Sequence, residues 1–406
     1  MIVRYEPWGA WVKLESQAAL VALDREGVRA LGLDGGATWS GAAGPSAPVE
    51  VHMAVTARCG AGCEGCYLDA RPDGVEPPAD VLLRELDALR DAGVFTVAFG
   101  GGEPTTRDDL DVLADAALAR GISPVLTTSG LGLSDARLAR LRSFAQINVS
   151  YDGASETYTR VRGFDGAAAA EGAIERIAGA GMRVGVNVVL TRESFPRLRD
   201  TLVRARQLGA REAQLLRYKP AGRAASLDYL ARRLTPEQAR SLGPTLRELS
   251  SALCDGGDFH LRVDCALVAF LSADEGLARD PARLARFGVF GCEAGGALAA
   301  FTVHGRVAPC SFAGATDLRA TDLALHAGDP TLARWRAHVE APPEPCASCS
   351  LRGVCKGGCK VVAAHVDGSH GPDPECPRVL DHAEETRKEA PVRGAGSTNH
   401  EKETAA

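Results

Sequence analysis

Cys59, Cys63 and Cys66 stand in a C-x3-C-x2-C run. Three thiolates on one short loop can grip three irons of a cubane cluster and leave the fourth open to a small ligand, which four cysteines would not. The same run also reads as a zinc or structural site lacking one ligand. Further on, Gly101, Gly102, Glu103 and Pro104 form a GGEP run, in which glycines permit close backbone approach and Glu103 offers a carboxylate to a ligand ammonium. A tight turn before a helix is the other reading of that run. A second thiol group begins at Cys292, continues through twelve residues to Gly305 and four more to Cys310, then runs Cys346-x2-Cys349-x5-Cys355-x3-Cys359, with Cys376 sixteen residues later. Two zinc ribbons would account for the closely paired cysteines there, but not for the upstream loop.

These residues need a frame. The chain has 406 residues, 45% hydrophobic and 24% charged, a length that suits two or more domains or one large α/β barrel with an appendage. A formal charge of -6 without a basic block sets nucleic acid aside as a partner. The opening MIVRYEPWGAWVKLES has no basic region followed by an apolar one, and no long apolar run follows elsewhere. A cytoplasmic protein without a membrane span is expected, its twelve cysteines serving metal or clusters rather than disulfides.

Residues 1–35 read as a small unit: a hairpin turning at Pro7 to Gly9, a strand at Leu20 to Leu23 and a helix from Asp24 to Leu31. An exposed strand edge there can capture an extended peptide; alternatively the unit caps the open side of the main domain. Residues 36–49, rich in Gly, Ala, Ser and Pro, read as a linker. Over 50–235, six strands near Val51–Thr56, Val94–Phe99, Ser123–Thr127, Gln146–Tyr151, Arg183–Leu190 and Glu212–Arg217 alternate with amphipathic helices that stop at glycine. Six βα units predict an α/β fold, a partial (β/α)6 TIM-type barrel with its chemistry at the strand C-termini. Residues 236–383 read as a helical bridge and a cysteine-rich domain, and 384–406 as a disordered tail.

The cysteine loop followed by GGEP on the next strand resembles the radical SAM (S-adenosylmethionine) superfamily over about residues 50 to 220. The resemblance implies that Cys59, Cys63 and Cys66 hold a [4Fe-4S] cluster whose open iron is chelated by SAM, with Gly101, Gly102 and Glu103 receiving the methionine amino group. It also implies SAM contacts at Ser150 and Asp152 in NVSYDG, at Arg162 and, on the fifth strand, at Asn187; for these four, a satisfied strand-end hydrogen bond is the alternative. Members usually carry an aromatic residue just before the third cysteine, whereas this chain has Gly65 there and Tyr67 after it. The second thiol group resembles the SPASM extension of the same enzymes, which implies two auxiliary [4Fe-4S] clusters and three in all. Its interleaved wiring gives Cys346, Cys349, Cys355 and Cys376 to one cluster, and Cys359, Cys292 and Cys310 to the other, with Cys265 as the fourth ligand, Cys254 in reserve, or an open iron. Pro220, Gly222 and Arg223 match a Pro-x-Gly-Arg frequent at this junction in SPASM proteins.

The implied function is reductive cleavage of SAM and oxidative modification of a ribosomally made peptide, with flavodoxin or ferredoxin as the electron donor. Small-molecule or tetrapyrrole oxidation is the alternative, and a non-catalytic electron carrier the third. Asp264, Tyr151 and His304 are possible proton donors, each with an equally good structural reading.

Overall fold

The computed structural model describes residues 1–14, 19–40, 47–340, 342–369 and 371–389. At the N-terminus, β1 (Ile2–Glu6), β2 (Gly9–Leu14) and β3 (Ala19–Asp24) form an antiparallel sheet in the order β1-β2-β3. Helix Arg25–Ala30 follows, capped by the Asp24 carboxylate accepting from Gly27 N at 2.7 Å. Val28, Ala10, Val12 and Trp39 share a small core, and Trp39 Nε1 donates to Gly9 O at 2.9 Å. The unit therefore runs through the turn Gly36–Ser40, which the sequence assigned to the linker because Trp39 is a lone aromatic among small residues. The rest of the expected linker, residues 41–46, lies outside the described residues.

The unit does not sit over the cysteine-bearing end. Arg4 donates to Ala47 O, Pro48 O and Gly93 O at 2.8 to 3.0 Å, and Lys13 Nζ to Gly121 O at 2.7 Å. Gly93 and Gly121 precede strands, so the small sheet docks beneath the main one, at its strand N-termini.

The main sheet comprises β4 (Glu50–Thr56), β5 (Thr96–Gly101), β6 (Ser123–Thr128), β7 (Gln146–Ser150), β8 (Val184–Leu190), β9 (Glu212–Arg217), β10 (His260–Val263), β11 (Leu298–Phe301) and β12 (Val307–Ala308). Its order is β10-β9-β8-β7-β6-β5-β4-β11-β12, parallel throughout except for the β11–β12 pair. The six expected βα strands are thus consecutive neighbours, but the C-terminal region is not separate: it lends β10 to one edge and β11 to the other. Strands of four residues or fewer carry too little pattern to be assigned to a sheet from sequence.

Alternation decides which side chains face where. Val51, Met53, Val55, Val97, Phe99, Ile147, Val149, Val186 and Val188 are buried in one core with Leu82, Leu86 and Leu89 of helix Ala79–Asp91 and Ile174 and Ile177 of helix Ala167–Gly179. The partly exposed set, including His52, Asn148, Ser150, Asn187 and Gln214, lies on the other face. There Glu50 on β4 bonds His52 at 2.9 Å and feels Arg262 on β10; although burial opposes ionisation, these partners hold its carboxyl below the usual range. In a flat sheet six strand spacings, about 29 Å, would separate β4 from β10, so the sheet is strongly curved. Helix Pro377–Glu389 runs past the expected boundary at Glu384, and the remainder of the expected tail lies outside the described residues.

Candidate active site

Cys59, Cys63 and Cys66 occupy the loop leaving β4 at its C-terminal end. The loop is anchored at both ends. Cys59 N donates to Arg71 O at 2.9 Å and Glu64 N to Arg162 O at 3.0 Å. Amides point at two of the sulfurs, Ala61 N on Cys59 Sγ and Ala70 N on Cys66 Sγ, both at 3.4 Å. Burial pushes the Cys59 and Cys63 thiols up; the Ala61 amide opposes it at Cys59 and the Arg162 guanidinium at Cys63.

The main anchor comes from a distant turn. Arg223 donates to Cys63 O at 2.9 and 3.2 Å, to Ala70 O at 2.8 Å and to Asp69 Oδ1 at 2.9 Å, while its backbone N–H reaches Cys66 O at 2.9 Å. Its neighbour Gly222 has φ +55°, and a Cβ there would collide with the carbonyls of Cys66 and Tyr67. The Pro-x-Gly-Arg run was legible as a motif, but its role as the clamp on the cysteine loop was not.

At the end of β5, Gly101 has φ +115° and would drive a Cβ into Thr56 O, so only glycine lets β5 close against β4 there. Gly102 N donates to Thr56 O at 2.7 Å and Glu103 N to Arg58 O at 2.8 Å, which brings the GGE run beside the cysteine loop. The buried Glu103 carboxylate accepts from Thr105 N at 3.1 Å, from the Thr105 and Thr128 hydroxyls at 2.7 Å, and from Ser129 N and Oγ at 2.7 and 2.6 Å. Thr128 and Ser129 were not singled out from sequence; a TTSG run after a strand reads as an ordinary turn.

The four polar candidates separate into different roles. Asp152 is fully buried, with Oδ1 accepting from Val189 N at 2.7 Å and Oδ2 from Arg162 Nε at 2.5 Å. Arg162 thus bridges Asp152 to the Cys63 thiol, and its neighbour Gly163 packs on Glu64 of the loop. Ser150 ends β7 on the partly exposed face. Asn187 shares that face, and its Oδ1 is buried without a hydrogen-bond partner, as is the hydroxyl of Tyr218, just beyond β9.

All twelve cysteines are free, and those of the C-terminal region form two neighbourhoods. Cys265 interacts electrostatically with Cys292 and Cys359, and so does Cys310. Buried Lys219, paired with Asp264, adjoins this group, and burial pushes Cys310 up to about 12 and Cys359 to about 11. Cys346, Cys349, Cys355 and Cys376 line one cavity, where burial lifts Cys346 to about 11. Cys254 ends helix Pro236–Cys254 and bonds Ser250 and the Leu261 backbone. Among the described residues, no three His, Cys, Asp or Glu side chains converge on a point that would hold a single metal ion. Asp264 pairs with Lys219, and Tyr151 with Glu171 at 2.7 Å, which gives each a structural role. Tyr67, beside Cys66, packs on Phe312, beside Cys310, with ring centroids 4.9 Å apart, so the two thiol regions touch.

Comparison with known proteins adds three findings. Residues 53–204 match the family model of the Radical SAM superfamily. Curated relatives include mycofactocin maturase MftC of Mycolicibacterium smegmatis, 29% identical over 82% of this chain and 83% of the relative; PqqA peptide cyclase of Granulibacter bethesdensis, 26% identical over 81% and 87%; and AdoMet-dependent heme synthase of Oleidesulfovibrio alaskensis, 27% identical over 78% and 83%. Among solved structures, Streptococcus suis SuiB bound to S-adenosylmethionine superposes with a TM-score of 0.72 at 20% identity, covering 92% of this chain and 98% of SuiB; SuiB has also been solved with its precursor peptide SuiA, at a TM-score of 0.70.

Proposed function

Since residues 53–204 form a radical SAM domain, we propose that the chain is an enzyme that cleaves SAM reductively and oxidatively modifies a ribosomally made peptide by cross-linking, thioether formation or dehydrogenation. The observation that carries the reading is the C-x3-C-x2-C loop, clamped at the C-terminal end of a curved parallel sheet beside the GGE run. Cys59, Cys63 and Cys66 would hold the [4Fe-4S] cluster, Glu103, its carboxylate held by Thr105, Thr128 and Ser129, would fix the turn that receives the SAM ammonium, and Asn187 and Tyr218 offer buried polar atoms that no protein group satisfies. The grouped thiols support two auxiliary clusters, on Cys265, Cys292, Cys310 and Cys359 and on Cys346, Cys349, Cys355 and Cys376, within a partial barrel and SPASM arrangement.

Bound there, the cofactors supply one-electron cleavage of SAM and hydrogen-atom abstraction from a substrate carbon. The chain's own part is placement and charge. Gly101 allows the β5 backbone to lie against the β4 loop, Arg223 fixes the loop, and Arg162 balances thiolate charge at Cys63 while Asp152 orients it. Lys219, paired with Asp264, and Arg217, paired with Asp373 and Glu375, stand against the Cys359 group and would fix its surroundings. Flavodoxin or ferredoxin would deliver electrons to the SAM-binding cluster.

PqqA peptide cyclase and the SuiB–SuiA pair support a peptide substrate. The heme synthase relative favours tetrapyrrole side-chain oxidation as the second reading. Anaerobically reconstituted protein with dithionite and SAM is expected to release 5′-deoxyadenosine, and the C59A/C63A/C66A variant to release none while keeping auxiliary-cluster absorbance. Release undiminished in the variant would refute the assignment. A mass change in a precursor peptide, against one in an iron porphyrin, separates the two substrates.

A further inference from the structure

We infer that the face formed by Arg283, Arg286, Phe287 and Phe290 docks an acidic one-electron carrier, which exchanges electrons with the auxiliary clusters there. The inference rests on the auxiliary-cluster reading above and adds the surface at which those clusters meet a partner. Helix Pro281–Arg286 is capped by the Asp280 carboxylate, which accepts from Arg283 N at 2.9 Å, and it buries only Leu284. Arg283, Arg286 and Phe287 stand three and four residues apart, so they share its outward face, with the Arg283 guanidinium 5.8 Å from the Phe287 ring centroid. The chain then turns at Gly288, with φ +72°. Phe287 is 74% exposed and Phe290 42%, the only exposed phenylalanines among the described residues. Their rings are left to water or to a partner.

The face adjoins both auxiliary thiol groups. Gly291 N donates to Val354 O at 2.7 Å, and a Cβ on Gly291 would stand 1.9 Å from Cys355 O, so the backbone just past Phe290 is pressed against one group. The next residue, Cys292, belongs to the other. Charge selects the partner. Arg279 pairs with Glu275 at 2.7 Å and Asp280 is engaged in the helix cap, but among the described residues Arg283 and Arg286 have no carboxylate within ion-pair reach. Exposed Arg352 stands on helix Arg352–Cys355, which packs beside helix Pro281–Arg286. On a chain of net charge -6 this is a local positive patch, which attracts an acidic protein and disfavours a second copy of the chain. Arginine and aromatic rings are enriched at interface centres, and a patch this small suits the brief encounter of an electron carrier. One electron passes from the reduced carrier to an oxidised cluster, or back; no bond forms and no proton moves.

The test uses the full chain with all clusters reconstituted, and beside it C59A/C63A/C66A, in which only the auxiliary clusters can take an electron. Reduced flavodoxin, an acidic carrier, is mixed with each, and bleaching of cluster absorbance is followed by stopped flow at several salt concentrations. In both chains the rate is expected to fall steeply with salt, and R283E/R286E to slow it about tenfold or more at low salt while reduction by dithionite is unchanged. F287S/F290S is expected to raise the flavodoxin dissociation constant about tenfold. A salt-independent wild-type rate, or wild-type rates in both surface variants, would overturn the inference. So would a wild-type dimer, seen by sedimentation, that F287S/F290S disperses without slowing flavodoxin, since the face would then belong to a second copy. Should R283E/R286E lose iron, F287S/F290S at full iron decides the matter by the same comparison. A reconstituted C59A/C63A/C66A chain that holds no iron would overturn the auxiliary-cluster reading and this inference with it.

Discussion

Arg223 lies 160 positions from Cys63 in the chain, yet it holds that residue's carbonyl with two of its nitrogens and the far end of the same loop with a third. Loops that carry metal ligands must keep their sulfurs in place before the metal arrives, and an arginine fork fixes several carbonyls at once where a lysine fixes one direction. Arg223→Ala is therefore expected to release iron selectively from the SAM-binding cluster, losing about a third of the total while the auxiliary signals persist; iron retention equal to wild type through repeated desalting would count against the clamp. The contrast with Cys59, Cys63 and Cys66 is instructive. Those three were legible because their chemistry is local in sequence, whereas the partners of Arg223, the Thr128 and Ser129 hydroxyls on Glu103, and the proximity of Gly65 to Tyr218 exist only after strands far apart in sequence become neighbours.

At the scale of elements, helix Ala79–Asp91 contributes more than its apolar face. Glu85 sits on that buried face, 2% exposed, with Oε2 unpartnered and Oε1 3.1 Å from where a Cβ on Gly305 would stand. This gives Gly305, noted in the cysteine spacing, a physical reason: its loop passes over a buried carboxyl with φ +67°. Burial pushes Glu85 up to about 7 from 4.5, with Arg84 opposing, so the folded state prefers the neutral acid. Because the folded value lies above the unfolded one, that preference stabilises fully below about pH 4.5 and is lost as pH rises through 7. Glu85→Gln should gain on wild type by about 3 kcal/mol between pH 4.5 and pH 8, read as diverging thermal midpoints; parallel curves would contradict it. The βα repeat itself was legible, since Val-rich strands and amphipathic helices of ten residues or more carry clear periods. Helix Ser155–Arg162 was not: it buries only Tyr158 and Val161 and reads as a polar connection.

For the molecule as a whole, the cysteine-rich region is built into the sheet rather than hung from it. β10 pairs with β9 and β11 with β4, and Arg217 at the end of β9 bonds Asp373, which itself accepts from Cys359 N at 2.9 Å. In the sequence the βα repeat ends at residue 235 and the composition changes after the helical bridge, at residue 254, but composition does not report which strand finds an open edge. A chain with three cubanes is expected to bind about twelve irons after reconstitution, and about four would refute the auxiliary assignments. Among the described residues, no helix is long and apolar enough to cross a membrane.

The small N-terminal sheet hangs under Gly93 and Gly121, at the N-terminal ends of β5 and β6, while the cysteines stand at the far end of the same sheet, beyond β4. β4, Glu50–Thr56, spans that distance, about 23 Å at 3.3 Å per residue. A peptide gripped by the edge of the small sheet would need about seven extended residues to reach the cysteine loop. The fold would then act as a ruler: the residue altered would be chosen by its distance from the gripped segment, leaving the sequence between them free to vary.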